Sequence, residues 1–109
     1  HRLPLPLAPL DLAALGKLTF EAPDQEAFPC LGYAFAALRA GGTCPTAMNA
    51  ANEVAVEAFL AGRDGFSRIA DLVAEALESH ENGPADSLET VLAADLAARE
   101  LAGRRLEKR

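Results

Sequence analysis

The sequence predicts an all-α protein: a four-helix-type bundle preceded by an extended arm that carries one short strand. Three observations predict it. From residue 28 onward apolar residues recur at spacings of three and four, the period of a helix with a buried side. The breaks between these runs carry helix-ending punctuation, at Gly41-Gly42, Gly62, Asp64-Gly65 and Asn82-Gly83-Pro84. Before residue 28, Pro4, Pro6, Pro9 and Pro23 exclude a long helix, because each ring removes a backbone donor and restricts the residue before it.

Composition narrows what the bundle can be. The chain has 109 residues, enough for one core but short for an enzyme that needs separate cofactor and substrate subsites. Half of it is apolar and only 6% aromatic, so the core must be built from Ala, Leu and Val, which favour close helix packing over a large pocket. A net charge of −6 argues against general binding to nucleic acid or acidic membrane, both of which need clustered Lys and Arg. No run approaches the ~18 apolar residues of a membrane span, and no basic start followed by an apolar run marks a signal peptide. A soluble, cytoplasmic protein is expected. Cys30 and Cys44 lack the recurring short spacing of a metal site; reduced thiols are expected, with a disulfide left open.

Residues 1–27 read as a connecting arm. His1 to Pro9 alternates leucine and proline and should be extended; Pro6-Leu7-Ala8-Pro9 could also serve as a polyproline ligand. Leu10 to Leu15 can form one helical turn, with Asp11 near its start and Gly16 at its end. Lys17-Leu18-Thr19-Phe20-Glu21 alternates polar and apolar and predicts a short strand with Leu18 and Phe20 on one face. A strand needs a hydrogen-bonding partner. None of the other residues reads as a strand, so the partner is expected from another part of a longer protein.

Residues 28–109 read as the bundle. A first helix is predicted from Pro29 to Ala40, with Leu31, Phe35 and Leu38 on its inner stripe beside Ala34. A second, over about residues 46–61, is the most core-like segment of the chain: Met48, Ala51, Ala55 and Phe59 share one stripe, and Ala47, Ala50, Val54 and Ala58 a neighbouring one. Ser67 is a candidate N-cap for a third helix, with Phe66, Ile69, Val73 and Leu77 facing inward. A fourth helical stretch starts at Asp86 or Ser87, with Leu88, Val91 and Leu92 as its apolar side. Asp95 stands where that stripe falters and could cap a second segment, so one kinked helix or two in tandem would fit. Arg99, Arg104, Arg105, Lys108 and Arg109 complement the dipole at a helix C-terminus.

A search for chemistry finds one cluster. Asn49, Asn52 and Glu53 stand at spacings of three and four on the core-like helix. A buried amide without a hydrogen bond costs about 1–3 kcal/mol, so Asn49 and Asn52 should either sit at the surface or, the favoured reading, bind a neighbouring loop, with residues 22–28 the nearest candidate; ligand contact is the competing functional reading. Glu53 and Glu57 form an i, i+4 carboxylate pair, but no histidine lies at the neighbouring turn to complete a metal site. His80 stands alone near a helix end and reads as an exposed imidazole. There is no GxGxxG and no GxxxxGK[ST]. No residue is therefore assigned a catalytic, cofactor-binding or metal-binding role; Asn49, Asn52 and Glu53 are read as a structural polar cluster.

Four stretches carry a family resemblance: Leu10-Asp11-Leu12, Leu18-Thr19-Phe20-Glu21-Ala22-Pro23-Asp24, Phe28-Pro29-Cys30-Leu31 and Asn49-Ala50-Ala51-Asn52-Glu53-Val54-Ala55-Val56-Glu57-Ala58-Phe59-Leu60. In this order and spacing the chain resembles the 1-deoxy-D-xylulose 5-phosphate reductoisomerase family, over nearly its whole length from Arg2. Gly32-Tyr33 departs from it by placing a glycine inside the first helix, at a cost of up to about 1 kcal/mol; Asp64-Gly65 departs by making a looser turn. The resemblance implies the arm and C-terminal helical domain of a bacterial enzyme of the non-mevalonate isoprenoid route. That enzyme converts 1-deoxy-D-xylulose 5-phosphate to 2-C-methyl-D-erythritol 4-phosphate with NADPH and Mg²⁺ or Mn²⁺. It further implies that the cofactor, metal and substrate residues all lie upstream of His1. The partner is then the upstream catalytic domain of the same chain, within a homodimer. A free-standing helical interaction module is the alternative, which the reading frame before His1 would separate from the fragment reading.

Overall fold

The structure, a computed structural model, describes residues 6–107. It holds five helices: α1 (Leu12–Leu15), α2 (Cys30–Ala40), α3 (Cys44–Leu60), α4 (Arg68–Ser79) and α5 (Leu88–Glu107). The predicted extended start at His1 to Leu5 lies outside the described residues, as do Lys108 and Arg109.

Local chemistry places the helix ends. Asp11 accepts from the backbone N–H groups of Ala13 and Ala14, and Gly16 closes that single turn with φ of 73°. Such a φ suits glycine, which has no Cβ to clash. Pro45 sits in the first turn of α3, where a missing N–H costs nothing. Ser67 precedes α4 but makes no capping bond through its side chain. The Ser87 hydroxyl instead caps α5, accepting from the Thr90 N–H.

Three sequence expectations change. Residues 17–21 form no strand, and no strand occurs among the described residues; without a second strand the alternating segment has nothing to pair with. α5 runs unbroken for 20 residues through Asp95. Asp95 is bound one turn later by Arg99, an i, i+4 pair that supports the helix rather than ending it. The third change concerns which residues face inward.

α3 lies at the centre, packed against α5 and α4 and, less extensively, α2; α4 also touches α2 and α5. Enclosure on several sides leaves room on α3 only for methyl groups. Its buried residues are Ala47, Ala50, Ala51, Ala55 and Ala58. One core cluster joins Ala51 to Val73, Ala76 and Ala102, with Tyr33, Met48, Val54, Leu77 and Leu101 packed around it; a second joins Ala47, Ala50 and Ala98. Leu72 and Val73 of α4 are the largest fully buried side chains.

The bulky side chains expected inside are largely outside. All five phenylalanines are exposed, from 38% for Phe59 to 86% for Phe20. Leu31, Phe35 and Leu38 leave the inner face of α2 to Ala37, with Tyr33 and Ala34 half-buried. On α5, Leu88, Leu92 and Leu96 face away from the bundle while Ala98 and Ala102 face in. A helix with a close neighbour on one side buries its small residues there, and its large ones project where no neighbour stands.

Candidate functional site

Asn49, Asn52 and Glu53 occupy the outward side of α3 near its start. Asn49 Nδ2 donates to Glu53 Oε1 at 3.0 Å, one turn along the helix. Glu53 Oε2 accepts from Arg99 Nη2 of α5 at 2.5 Å. Arg99 also holds Asp95, through Nε at 2.7 Å and Nη2 at 3.2 Å. The hydrogen bond from Arg99, then that from Asn49, then the guanidinium charge hold the Glu53 carboxyl below the usual carboxylate range. Hydrogen bonds to Asp95 and Glu53 in turn raise the Arg99 pKa.

Asn52 separates from this group. It is half-buried and makes no side-chain hydrogen bond among the described residues; it lines a groove of about 450 Å³ with Phe28, Val56, Phe66 and Ile69. The expected bond from this cluster to the 22–28 loop is not made, because Asp24 turns that loop on itself by accepting from the N–H groups of Glu26 and Ala27.

A second polar group joins the two interhelical connections. Thr43 is 3% exposed, and its N–H is shared between Gly83 O and Asn82 Oδ1, each at 3.0 Å. Its hydroxyl accepts from the Gly83 N–H at 3.2 Å and lies 2.8 Å from His80 Nε2. His80 is therefore half-buried and partnered, not the exposed imidazole read from sequence. Gly42 stands at φ of 57°, and a Cβ there would come within 2.3 Å of Gly83 O. Thr43 and His80 meet across 37 positions, which no local spacing rule anticipates.

A third group anchors α4. Arg68 Nη1 donates to Glu75 Oε1 at 2.8 Å, and Glu75 Oε2 meets Arg105 of α5 at 3.1 Å. The donors needed for metal chemistry do not converge: no group of three or more His, Cys, Asp or Glu among the described residues could hold an ion. Cys30 and Cys44 are free thiols, and burial pushes the Cys30 pKa up, away from thiolate reactivity. These groups tie helices and their connections to one another.

The DXP reductoisomerase C-terminal domain profile matches residues 1–101. The chain belongs to the DXP reductoisomerase C-terminal domain family. Among curated relatives of this domain, the 1-deoxy-D-xylulose 5-phosphate reductoisomerase of Cupriavidus necator is 58% identical over 102 residues, covering 94% of this chain and 26% of that protein. That of Ralstonia nicotianae is 63% identical over 90 residues, covering 83% of this chain and 23% of the relative. This reductoisomerase C-terminal domain thus spans about a quarter of the length of its curated relatives. Among solved structures, the Zymomonas mobilis reductoisomerase in complex with NADPH superposes with a TM-score of 0.87 at 41% identity, over 100% of this chain and 29% of that one. A reductoisomerase in complex with NADPH, fosmidomycin and magnesium gives 0.80 at 38% identity, over 98% of this chain and 28% of that one.

No helix of the described residues is long and apolar enough to cross a membrane.

Proposed function

We propose that this chain is the structural C-terminal part of a bacterial, cytoplasmic enzyme that converts 1-deoxy-D-xylulose 5-phosphate to 2-C-methyl-D-erythritol 4-phosphate. NADPH and a divalent ion, Mg²⁺ or Mn²⁺, would be held by the remainder of the polypeptide. The observation that carries this reading is the match of both sequence and fold to a quarter-length segment of reductoisomerases, two of them solved with NADPH. No group of three or more His, Cys, Asp or Glu among the described residues could hold that ion.

Within the parent, residues 1–27 act as a connecting arm and 28–109 as a bundle that braces the catalytic domain. Two features support that division: α1 packs against none of the other helices, and every described residue from 6 to 27 is exposed. The alternating Leu18 and Phe20 segment then finds its strand partner in the preceding domain. Asn49, Asn52 and Glu53 serve architecture, and a braced site keeps its reacting groups in register. The parent acts as a homodimer and binds neither nucleic acid nor membrane.

Assaying the full-length polypeptide tests this. It should oxidise NADPH when given 1-deoxy-D-xylulose 5-phosphate and Mg²⁺, while these 109 residues alone should not. Asn52→Ala in the full enzyme should lower thermal stability and leave KM for substrate and NADPH unchanged. A specific rise in either KM would make Asn52 a ligand contact and end the architectural reading.

A further inference from the structure

We infer that Phe28, Phe59 and Phe66 form the face on which this domain seats against the preceding part of its own polypeptide, taking from it an apolar side chain flanked by a lysine or arginine. The inference rests on the bracing role proposed above and names the surface through which it is exerted.

The three rings touch edge to face: Phe28 and Phe66 have centroids 6.5 Å apart, Phe59 and Phe66 5.7 Å apart. Phe28 and Phe66 are nevertheless each 59% exposed. An aromatic cluster packed within itself but open to water is the composition of an interface centre, where Phe is enriched and charge depleted. Beside it lies the 450 Å³ groove, lined also by Glu26, Asp71 and the unbonded Asn52 amide. Asp71 is already paired with Arg68 at 3.6 Å, which leaves the Glu26 carboxylate to complement a cationic side chain, and the amide can meet a backbone N–H or carbonyl.

The tether favours this occupant. Roughly three quarters of each curated relative lies outside the matched stretch. Phe28 is the residue through which the arm enters the bundle, so whatever precedes the arm is held at high effective concentration beside this face. The other apolar stripe, Leu88, Leu92 and Leu96, lies on α5, which makes no contact with α2 at the arm's entry.

Hydroxyl-radical footprinting of the full-length protein, read by mass spectrometry, tests the assignment without altering the fold. After correction for residue type, Phe28 and Phe66 should oxidise about fivefold more slowly than Leu88 and Leu92, as expected when a half-exposed ring becomes buried. Neutralising the open carboxylate with Glu26→Gln should raise Phe66 oxidation; an unchanged rate would overturn the cationic partner. Protection of Leu88 and Leu92 with free phenylalanines would overturn the face and leave the bracing role standing. Protection at neither site would overturn both. Protection of Phe28 and Phe66 that disappears on dilution would put a second copy there and overturn the assignment to the same polypeptide.

Discussion

Arg99 of α5 reaches across to Glu53 of α3 while the same guanidinium closes on Asp95, one turn back on its own helix. Asp95 therefore pre-positions the arginine, and the α3 carboxylate completes the tie. Arg99→Ala and Glu53→Gln should each lower the thermal midpoint slightly, by less than the core changes below. The double variant should lose no more than Arg99→Ala alone, since both remove one contact. In about 1 M salt, where charges are screened beyond about 3 Å, the loss should shrink. Additive losses would show that the pair does not act as a unit.

Acid should release the same contact. The folded-state pKa of Glu53 is depressed, first by the hydrogen bond from Arg99 and then by that from Asn49. Its stabilising contribution is thus fully present above the unfolded carboxylate value, about 4.3, and is lost as pH falls through the lower folded value. An NMR titration of the Glu53 carboxyl should show its midpoint rising in Arg99→Ala. A midpoint indifferent to that change would remove Arg99 as the cause.

The alanine core should not accept larger residues. Ala51 is wholly buried among Val73, Ala76 and Ala102. Ala51→Leu should destabilise by about 1–3 kcal/mol or more, because α3 cannot retreat from two neighbours at once. Leu72→Ala should cost about 2–5 kcal/mol. Urea unfolding of the full-length protein measures both.

Thr43→Val keeps the shape of a buried side chain and removes its hydroxyl. The Gly83 N–H and His80 Nε2 then lose a partner, at a cost of about 1–3 kcal/mol. Thr43→Ser should recover most of it. Equal stabilities for the Val and Ser variants would leave the hydroxyl without a structural role.

Gly42→Ala and Gly62→Ala separate backbone strain from collision. Both glycines have positive φ, but only at Gly42 would the added Cβ meet backbone, the Gly83 carbonyl. Gly62→Ala should cost about 1–2 kcal/mol for the left-handed conformation alone. Gly42→Ala should exceed it, because the two connections must also part. Equal costs by urea unfolding would show that they separate without resistance.

Helix identity was legible in the residues because it is written locally. Periodic apolar spacing and Gly41-Gly42, Gly62 and Asn82-Gly83-Pro84 bracket α2, α3 and α4 to within a few residues of where they lie. The single turn with Asp11 near its start and Gly16 at its end was legible for the same reason; the capping bonds of Asp11 appear only in the structure. Facing was much less so. Phe59 shares a stripe with Ala51 and Ala55, yet α3 buries the alanines and leaves the ring at the surface. A stripe is a direction around one helix, and spacing cannot say how close the next helix comes.

The candidate cluster divides along the same line. That Asn49 and Glu53 can meet follows from a spacing of four on one helix. Arg99 looked like a residue complementing a helix dipole, and His80 like an exposed imidazole, until partners 46 and 37 positions away came within reach.

From its order of residues alone this chain determines where its helices run, which family it belongs to, and that its core must be small-sided. Only the tertiary structure decides that alanine rather than phenylalanine fills that core, that Thr43 locks two distant connections together, and that an aromatic face is left open. The reason is that local conformation depends on neighbours in sequence, whereas burial and hydrogen-bond partnership depend on how closely separate helices approach.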